Sequence, residues 1–364
     1  MTITAPRPTL TGALRGRIMK FAERVTTPLV PTDYLDVIDP LRAGATLRGR
    51  IVAIHPETAD AATLVIKPGR DWLAHVPGQY VRIGVDVDGV RQWRTYSLTS
   101  ELNRPDGCFS ITVKAIDGGT VSNHLVRQAR IGTVLHLDQA AGGFTLGTPM
   151  PTKILFVTAG SGITPVMGML RNIPADSVSD IVVVHCAPTS DDIIFGAELR
   201  ALAARGRIRL VEIHTRSQGH LDVATLHTVV NDLAERHTWA CGPSGLLEAL
   251  ETHWAANDIS DQLHTERFRS TVITPGDGGL VTFSTTGTTI DSTGAESLLD
   301  AGEAAGVLMP SGCRMGICFG CVAPLRHGAV RNLRNGEITT ATSGDGVVIQ
   351  TCISAAAGAC DIEL

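Results

Sequence analysis

Hydrophobic and polar positions change their spacing along the chain, and the first pattern covers residues 47–148. Short apolar runs alternate there with polar residues, and turn-forming residues separate the runs. The runs are LRGRIVAI, ATLVIKP, QYVRIGVDVDG, QWRTYSLTS, CFSITVKAI and TVLHLDQA. Many short strands with turn signals between them predict an antiparallel sheet that closes into a small barrel.

The second pattern covers residues 149–271, where longer apolar runs are followed by stretches with helical spacing. KILFVTA, DIVVVHCA and RIRLVEIHT are nearly continuous apolar runs, which predict buried parallel strands. TPVMGMLR and FGAELRALAA have the helical spacing, and TWACGPSGLLEAL repeats the order of strand, turn and helix. This part is therefore predicted to be an α/β domain with a parallel sheet.

The remaining segments lie at the two ends of the chain. Residues 272–280 are rich in Pro and Gly and predict a linker. A predicted hairpin (GLVTFSTTGTTIDST) begins at the end of this segment, and residues 281–364 then contain a short helix near ESLLDAGEAAG and a group of cysteines.

Residues 1–46 are predicted to be an N-terminal extension with one short amphipathic helix. Its apolar positions are Leu14, Ile18, Phe21, Ala22 and Val25, and its interleaved basic positions are Arg15, Arg17, Lys20 and Arg24. Two interpretations stay open for this helix, which either packs on the next domain or contacts a membrane surface or an acidic partner.

Composition restricts the class of protein. A chain of 364 residues with 43% hydrophobic and 18% charged residues is predicted to be globular and to contain more than one domain. The net charge of −5 and the lack of a long Lys/Arg block argue against a nucleic-acid partner. No run of about 18 apolar residues and no secretory signal is visible. We therefore expect a cytoplasmic protein with reduced thiols, with peripheral contact at the inner face of the membrane as a hypothesis.

Four cysteines near the C-terminus carry the strongest chemical signal. Three follow the spacing C-x4-C-x2-C, and the fourth follows after thirty intervening residues; they are Cys313, Cys318, Cys321 and Cys352. Disulfides are disfavoured by reduced thiols, and zinc sites usually have two short C-x2-4-C clips. Plant-type 2Fe-2S clusters use the spacing found here. Gly312, Gly316 and Gly320 would let backbone amides reach the sulfur atoms, so the pattern favours a 2Fe-2S cluster.

The barrel part contains RTYSLTS, residues 94–100, which places a cation, an aromatic ring and a hydroxyl close together. Arg94 and Tyr96 share one face of a strand, and Ser97 turns to the other face unless the strand bends. A flavin needs a partner for its phosphate, a stacking surface and a hydrogen bond near its reactive nitrogen. An ordinary strand and turn is the alternative.

The segment GGTVSNHL, residues 118–125, follows in the same part of the chain. It combines a flexible turn, the hydroxyls of Thr120 and Ser122, and the start of a helix. A helix N-terminus stabilises a phosphate group. A glycine turn without a ligand is the alternative interpretation.

TAGSGITPVMGML, residues 158–170, joins a predicted strand to a helix through Gly160 and Gly162, with Pro165 in the first helical turn. This context favours a pyrophosphate site, although proline replaces the usual third glycine. The strand IVVVHCAP ends without an acidic residue that would hold a ribose hydroxyl. Arg216 follows the strand RLVEIHT and would hold a 2′-phosphate, which favours NADPH. The alternative is that Arg216 is a solvated loop arginine.

Two further segments at the end of the α/β part become informative only in combination. ACGPSG, residues 240–245, places Cys241 at the end of a strand, either in the core or facing a nicotinamide. HTERF, residues 264–268, contains Glu266 and Phe268. Sequence alone singles out neither segment.

The ordered set RTYS, GGTVS, GSGITP, CGP and ERF resembles the ferredoxin–NADP reductase superfamily. With the C-terminal cysteine segment, the chain resembles the flavin reductase components that supply oxygenases, hydroxylases and desaturases with electrons. The extension, with VPTDYLDVIDPL before the barrel, is similar to that of actinobacterial NADPH oxidoreductases that serve membrane acyl-CoA desaturases. The resemblance implies an FAD-binding barrel in 47–148, an α/β NAD(P)-binding domain in 149–271 and an α+β, β-grasp 2Fe-2S ferredoxin domain in 281–364.

The resemblance also implies a role for each motif. Ser97, Cys241 and Glu266 would be the catalytic residues around the hydride path. The residues implied to bind FAD are Arg94, Tyr96, Ser97, Thr99, Gly119, Val121, Ser122 and Phe268. The residues implied to bind the nicotinamide nucleotide are Gly160, Gly162, Thr164, Pro165, Arg216, Cys241, Gly242 and Pro243. FAD is favoured over FMN because the turn near Gly119 would hold a pyrophosphate.

The number of electrons that each cofactor accepts or releases sets the order of the cofactors along the electron route. NADPH, or NADH as an alternative, gives two electrons as hydride, a 2Fe-2S cluster accepts one, and a flavin accepts two and releases them singly. A plant-type cluster near about −400 mV can reduce an iron-dependent desaturase or oxygenase. A desaturase would connect the chain to lipid metabolism.

The alternatives are a reductase for a ring-hydroxylating dioxygenase, an alkane hydroxylase or another monooxygenase, and a redox-sensing flavoprotein without turnover. The chain has no H-x3-H or E-x2-H pair, so a di-iron site is not supported.

Overall fold

The computed structural model describes residues 35–36, 38–87, 89–268, 277–312, 314, 316, 319–342 and 344–364. The predicted N-terminal helix, most of the predicted linker, and both Cys313 and Cys318 lie outside these residues. Within the described ranges, no helix combines the length and the apolar character needed to cross a membrane.

The first domain is an antiparallel barrel in which each predicted apolar run forms one strand. The strands are β1 (Arg48–Thr58), β2 (Ala61–Pro68), β3 (Tyr80–Val87), β4 (Val90–Ser97), β5 (Phe109–Lys114) and β6 (Val134–Leu137). Their order in the sheet is β4-β3-β6-β1-β2-β5. A bridge between Leu98 and Ile111, with a 2.8 Å bond from Thr99 N to Ser110 O, joins the two edges. The predicted barrel is confirmed.

Alternation along the strands of the barrel fills its interior. Ile51, Leu64, Ile83, Ile111 and Leu135 come from five different strands and are all fully buried. Burial of such side chains stabilises the fold by about 1.5–3 kcal/mol each relative to exposure. Helix α1 (Thr120–Arg127) packs on the barrel through its own apolar face.

The second domain is a parallel sheet with helices on both faces, as predicted. Its strands are β7 (Lys153–Ala159), β8 (Asp180–Ala187), β9 (Arg209–His214), β10 (His237–Cys241) and β11 (Leu263–Glu266), in the order β11-β10-β7-β8-β9. Its helices are α2 (Ile163–Leu170), α3 (Gly196–Ala204), the single turns α4 (Thr215–Gln218) and α5 (Leu226–Val229), and α6 (Ser244–Ala256). Phe156 and Val183 pack on one face of the sheet, and Val157 and Val184 pack on the other. Burial on both faces explains the continuous apolar runs.

The third domain is a mixed sheet with one described helix. Its elements are β12 (Gly279–Phe283), β13 (Thr288–Ser292), α7 (Leu298–Ala304), β14 (Val322–Asn332), β15 (Ile338–Ala341), β16 (Val348–Gln350) and β17 (Ser354–Ile362). The order is β13-β12-β17-β14-β15, with β16 paired to β14, and β12 runs parallel to β17. Leu298 and Leu299 of α7 pack with Phe283 in the core. The predicted α+β class is confirmed, and β12 begins inside the segment predicted to be linker.

Candidate functional site

A cavity of about 1090 Å³ lies where the three domains meet. The barrel contributes the end of β4 and the start of α1, and the α/β domain contributes the turn before α2 and the end of β11. The third domain contributes α7, the segment after it, and one cysteine. The residues that line the cavity and carry predicted roles are Arg94, Tyr96, Ser97, Gly119, Val121, Ser122, Thr164, Glu266, Phe268 and Cys352. The fold therefore brings together motifs from all three domains.

Arg94 supplies a partly buried cation at the cavity wall. Its guanidinium donates to Trp93 O at 2.8 Å and to Gln92 Oε1 at 3.3 Å. Among the described residues it has no carboxylate within ion-pair distance, and burial, with the nearby Arg314 cation, lowers its pKa. A partly buried cation that bonds only to neutral acceptors fits a phosphate group.

Tyr96 and Ser97 border the cavity because β4 ends there. Burial raises the pKa of the Tyr96 phenol, so its ring remains neutral. Ser97 is 4% exposed, and its buried Oγ has no hydrogen-bond partner among the described residues. A buried hydroxyl without a partner costs free energy unless a bound group completes its hydrogen bonds. The pair thus fits a flat heteroaromatic ring with a polar ring atom.

Thr99 does not reach the cavity. It is fully buried, and its Oγ1 lies 2.9 Å from Ser110 Oγ across the closure of the barrel. The resemblance implied a cofactor contact at this position, but the structure gives Thr99 a part in closing the barrel.

The turn before α1 forms another wall of the cavity. Gly119 caps the helix, and Ser122 Oγ accepts from Ile116 N and donates to Gly119 O, each at 3.3 Å. A Cβ at Gly119 would approach Ile116 and Ser122 to 2.5 Å, so glycine is required by packing. The Ser122 hydroxyl therefore shapes the turn, and the amides at the start of α1 remain the groups suited to a phosphate.

The turn Gly160–Gly162 uses its two glycines for different reasons. Gly160 has a φ of +55° and open space around it, which leaves room for a ligand beside the backbone. At Gly162 a Cβ would lie 2.0 Å from Cys241 O, so this glycine lets two chain segments touch. Thr164 Oγ1 donates to Ser161 O at 2.9 Å, and Pro165 lies in the first turn of α2 as predicted. The close approach joins the GSGITP and CGP motifs at one sheet edge.

Cys241 and Glu266 lie at paired positions at the carboxyl ends of β10 and β11. Burial raises the pKa of the Cys241 thiol, and the nearby Glu266 charge acts in the same direction. Burial also raises the pKa of Glu266 to about 8, and its Oε2 has no partner among the described residues. At neutral pH the pair is uncharged, which suits a neutral nicotinamide ring.

Gly242 and Pro243 continue from Cys241 into α6. A Cβ on Gly242 would meet Ala159 at 3.2 Å, and Pro243 precedes the first residue of the helix. Both residues shape the turn that follows Cys241, and neither lines the cavity.

Phe268 and Arg216 occupy different surroundings. Phe268 lines the cavity with 37% of its surface exposed, so its ring borders the opening. Arg216 is exposed on α4, directly after β9, and its backbone N–H donates to Pro188 O at 3.1 Å. It therefore lies at the carboxyl edge of the parallel sheet, away from the cavity.

The two described cysteines of the C-terminal pattern converge. Cys321 and Cys352 are buried, and their sulfur atoms lie 3.1 Å apart. A disulfide bond is about 2.05 Å long, so the two sulfurs meet without a bond between them. Two thiols that lie close together and belong to the C-x4-C-x2-C…C pattern fit a 2Fe-2S cluster. Cys352 also lines the cavity that contains Ser97.

An ionic group that was not predicted from the sequence lies beside the cluster loop. Arg314 follows the first predicted ligand, Cys313, and its guanidinium contacts Asp300 Oδ1 at 3.0 Å and also Glu303. All three charged residues line the cavity. The spacing of the two acids, three residues apart on one helix, could have indicated a shared face.

Comparisons with known proteins match each domain to a family model. Residues 52–146 match the oxidoreductase FAD-binding domain, residues 156–252 match the oxidoreductase NAD-binding domain, and residues 281–357 match the 2Fe-2S iron–sulfur cluster binding domain.

Curated relatives share the same organisation. An NADPH oxidoreductase of Mycobacterium tuberculosis is 46% identical over all of this chain and 97% of its own length. A glycine betaine monooxygenase reductase subunit of Pseudomonas aeruginosa is 30% identical over 83% of this chain and 91% of its own length.

Solved structures share the fold. Phthalate dioxygenase reductase aligns with a TM-score of 0.59 at 20% identity, covering 87% of this chain and 97% of that one. A ferredoxin NADP+ reductase from Neisseria gonorrhoeae aligns with a TM-score of 0.53 at 20% identity, covering 61% of this chain and 99% of that one. Together with the family models and the relatives, the three-domain fold identifies the chain as an NAD(P)H-dependent oxidoreductase of the ferredoxin reductase type, with FAD and a 2Fe-2S cluster as its cofactors.

Proposed function

We propose that this protein passes electrons from NADPH through FAD and the 2Fe-2S cluster to a membrane fatty acyl-CoA desaturase. The single observation that carries the internal route is that Ser97 and Cys352 line one cavity. A flavin bound there takes two electrons together and releases them singly, which matches a hydride donor to a one-electron cluster. The proposed domains are the FAD-binding 47–148, the NAD(P)-binding 149–271 and the ferredoxin 281–364.

The proposed roles of the residues follow from their surroundings. Arg94 binds the flavin phosphate, Tyr96 lies along the flavin, and the Ser97 hydroxyl donates to the ring. Gly119 and Val121, with the amides at the start of α1, hold the pyrophosphate that distinguishes FAD from FMN.

Residues of the α/β domain receive the nucleotide. The turn Gly160–Gly162 offers its amides to the pyrophosphate, and Thr164 holds that turn through Ser161. Cys241 and the protonated Glu266 form an uncharged wall beside the nicotinamide. Phe268 shields the open side of the flavin, and water is thereby kept from the hydride path.

The preference for NADPH rests on Arg216. Strand β8 ends in Ala187 without an acidic side chain, so no carboxylate there holds the ribose hydroxyls. Arg216 is exposed at the adjacent edge and has no ion-pair partner among the described residues. The NADPH named for the mycobacterial relative supports the same preference.

The desaturase is favoured over a soluble oxygenase because of the N-terminal extension. The mycobacterial relative aligns with the whole chain, whereas the betaine monooxygenase reductase aligns with 83% of it. The extension contains the basic amphipathic pattern of residues 14–25, which would bring the reductase to an anionic membrane surface. An iron-dependent oxygenase is the second candidate, because several relatives are named as reductase components of monooxygenases.

Reconstitution tests the acceptor. The purified holoprotein is mixed with NADPH and either membranes that contain an acyl-CoA desaturase or a purified Rieske oxygenase, and product formation is measured. We expect turnover with the desaturase at least about tenfold faster than with the oxygenase, and a loss of this preference when residues 1–34 are removed. Equal or faster turnover with the oxygenase would overturn the assignment to a desaturase.

A further inference from the structure

Two residues at the end of α2 bind the backbone of the segment that follows Ser97 in the barrel. Arg171 Nη1 donates to Thr99 O at 2.5 Å, and Asn172 Nδ2 donates to Ser100 O at 3.0 Å. In return, Leu102 N donates to Asn172 Oδ1 at 2.7 Å. These three bonds cross from the nucleotide domain to the flavin domain, and we call Arg171 and Asn172 the α2 clamp.

Close packing of α2 on the same segment supports the α2 clamp. A Cβ at Gly168 would lie 2.2 Å from Leu98 O, so the helix backbone touches the barrel backbone directly. Asn172 Nδ2 also donates to Gly168 O at 2.7 Å, which fixes the amide in the orientation that its barrel contacts require. Backbone-to-backbone packing leaves little freedom for sliding between the domains.

Arg171 is held in place before it reaches the barrel. Its Nε and Nη2 donate to Glu198 at 2.9 and 2.6 Å, and its guanidinium lies 4.7 Å from the centre of the Phe195 ring. The side chain is only 18% exposed. A charge-assisted bond from a fixed guanidinium to a buried carbonyl is stronger than a neutral one.

The two ends of α2 connect the α2 clamp to the chemistry. The helix begins after the turn Gly160–Gly162, and both Ser161 and Thr164 line the cavity. The barrel segment that α2 and the α2 clamp contact begins at Leu98, the residue after Ser97. A helix of eight residues is about 12 Å long and rigid, so its position sets the distance between the nucleotide turn and the Ser97 hydroxyl.

We propose that Arg171 and Asn172 are positioning residues for hydride transfer. They hold the nucleotide turn at a fixed distance and angle from the Ser97 hydroxyl, and thereby align the nicotinamide with the flavin. A misplacement of about 1 Å between reacting groups can lower a rate by about a hundredfold. The inference depends on hydride transfer from NAD(P)H to FAD and is independent of the acceptor proposed above.

Asn172→Ala tests this directly, with Arg171→Lys as a second variant that retains the charge. Flavin reduction by saturating NADPH is followed without oxygen, together with the NADPH dissociation constant and the flavin content. We expect Asn172→Ala to slow flavin reduction by at least about tenfold. The dissociation constant and flavin content should stay within about twofold. Arg171→Lys should lie between this variant and the wild type, because lysine cannot reach Glu198 and Thr99 together.

A matched control uses Arg207, which lies in the same domain. Its Nη2 donates to Pro174 O at 2.7 Å and to Ile173 O at 3.3 Å, so it also binds backbone carbonyls, but only within its own domain. Arg207→Met should leave the flavin reduction rate within about twofold of the wild type. Equal slowing by Arg207→Met and Asn172→Ala would overturn the proposal, because the effect would then come from domain stability.

Hydrogen exchange provides a measurement that does not depend on turnover. In the full chain, the Leu102 amide donates to Asn172, so Asn172→Ala should accelerate exchange at Leu102 and leave amides that are bonded within the barrel, such as that of Thr99, unchanged. Faster exchange accompanied by an unchanged flavin reduction rate would show that the α2 clamp only joins the domains, and the positioning role would be lost.

Discussion

Cys241 and Glu266 lie side by side at the ends of two parallel strands, and burial raises the pKa of both groups. The thiol and the carboxyl are consequently uncharged at neutral pH. A charged carboxylate in this position would be desolvated without a partner, which is costly. The structure therefore places two neutral groups at the carboxyl ends of adjacent strands of the nucleotide domain, and Glu266 of this pair lines the cavity.

The raised pKa of Glu266 predicts a stability that decreases with pH. An exposed glutamate loses its proton near pH 4.5, whereas folded Glu266 keeps it until about pH 8. Between these values the folded state binds more protons than the unfolded state, so the free energy of unfolding falls as pH rises. Glu266→Gln removes this pH-dependent contribution to the free energy of unfolding. The melting temperature of the variant minus that of the wild type should therefore increase from pH 5 to pH 8 and then level off. A constant difference across this range would contradict the raised pKa.

Cys321→Ser should remove the cluster and spare the flavin. The sulfur of Cys321 converges with that of Cys352, and serine is a poor ligand for iron in such a site. We expect loss of the cluster absorption and of cytochrome c reduction, while NADPH-dependent reduction of ferricyanide continues at the flavin.

Cys360→Ser is the matched control for this prediction. Cys360 is buried in the same domain but lies outside the C-x4-C-x2-C…C pattern. The Cys360→Ser variant should keep its iron content and both its cytochrome c and its ferricyanide reduction. If Cys321→Ser also lost ferricyanide reduction in a folded protein, the flavin and cluster functions would not be separable.

Arg94→Ala should weaken flavin retention. Its partly buried guanidinium bonds only neutral acceptors among the described residues, which fits the phosphate contact proposed above. A charge-assisted bond of about 1.5–3 kcal/mol corresponds to roughly ten- to a hundredfold weaker binding. Fluorescence titration of the flavin-free protein measures this. Arg104→Ala is the control, because Arg104 is paired with Asp106 on the barrel surface; equal losses would argue against the assigned phosphate contact.

Local patterns predicted most of the fold, because strand runs and helix starts depend on neighbouring residues. All six barrel strands and all three quoted parallel strands appear where the apolar runs lie. The site was harder to predict from the sequence, because its walls come from segments that are distant along the chain. Cys352 and Ser97 line one cavity only because separate domains pack together, and the hydrophobic pattern contains no information on that packing.

Individual residues show the same limit of sequence reasoning. The sequence marks Gly162 as suited to a phosphate, whereas its contact with Cys241 depends on where β10 lies in the sheet. Thr99 belongs to a motif that borders the cavity, yet the closure of the barrel turns it toward Ser110. No sequence pattern predicted the α2 clamp, because Arg171 and Asn172 bind backbone atoms, which every sequence contains.

Arg216→Ala should shift the preference from NADPH toward NADH. Arg216 lies at the carboxyl edge of the parallel sheet, where the adenosine end of a dinucleotide binds in such folds. Removing its cation should raise the KM for NADPH by about tenfold, because a bond between a guanidinium and a phosphate is lost, and should leave the KM for NADH unchanged. Steady-state reduction of ferricyanide with each nucleotide gives the ratio. Arg205→Ala is the control, because Arg205 is also exposed but follows the last residue of α3, at the opposite edge of the sheet. An unaltered ratio in Arg216→Ala, or an equal shift in Arg205→Ala, would remove Arg216 from the 2′-phosphate site.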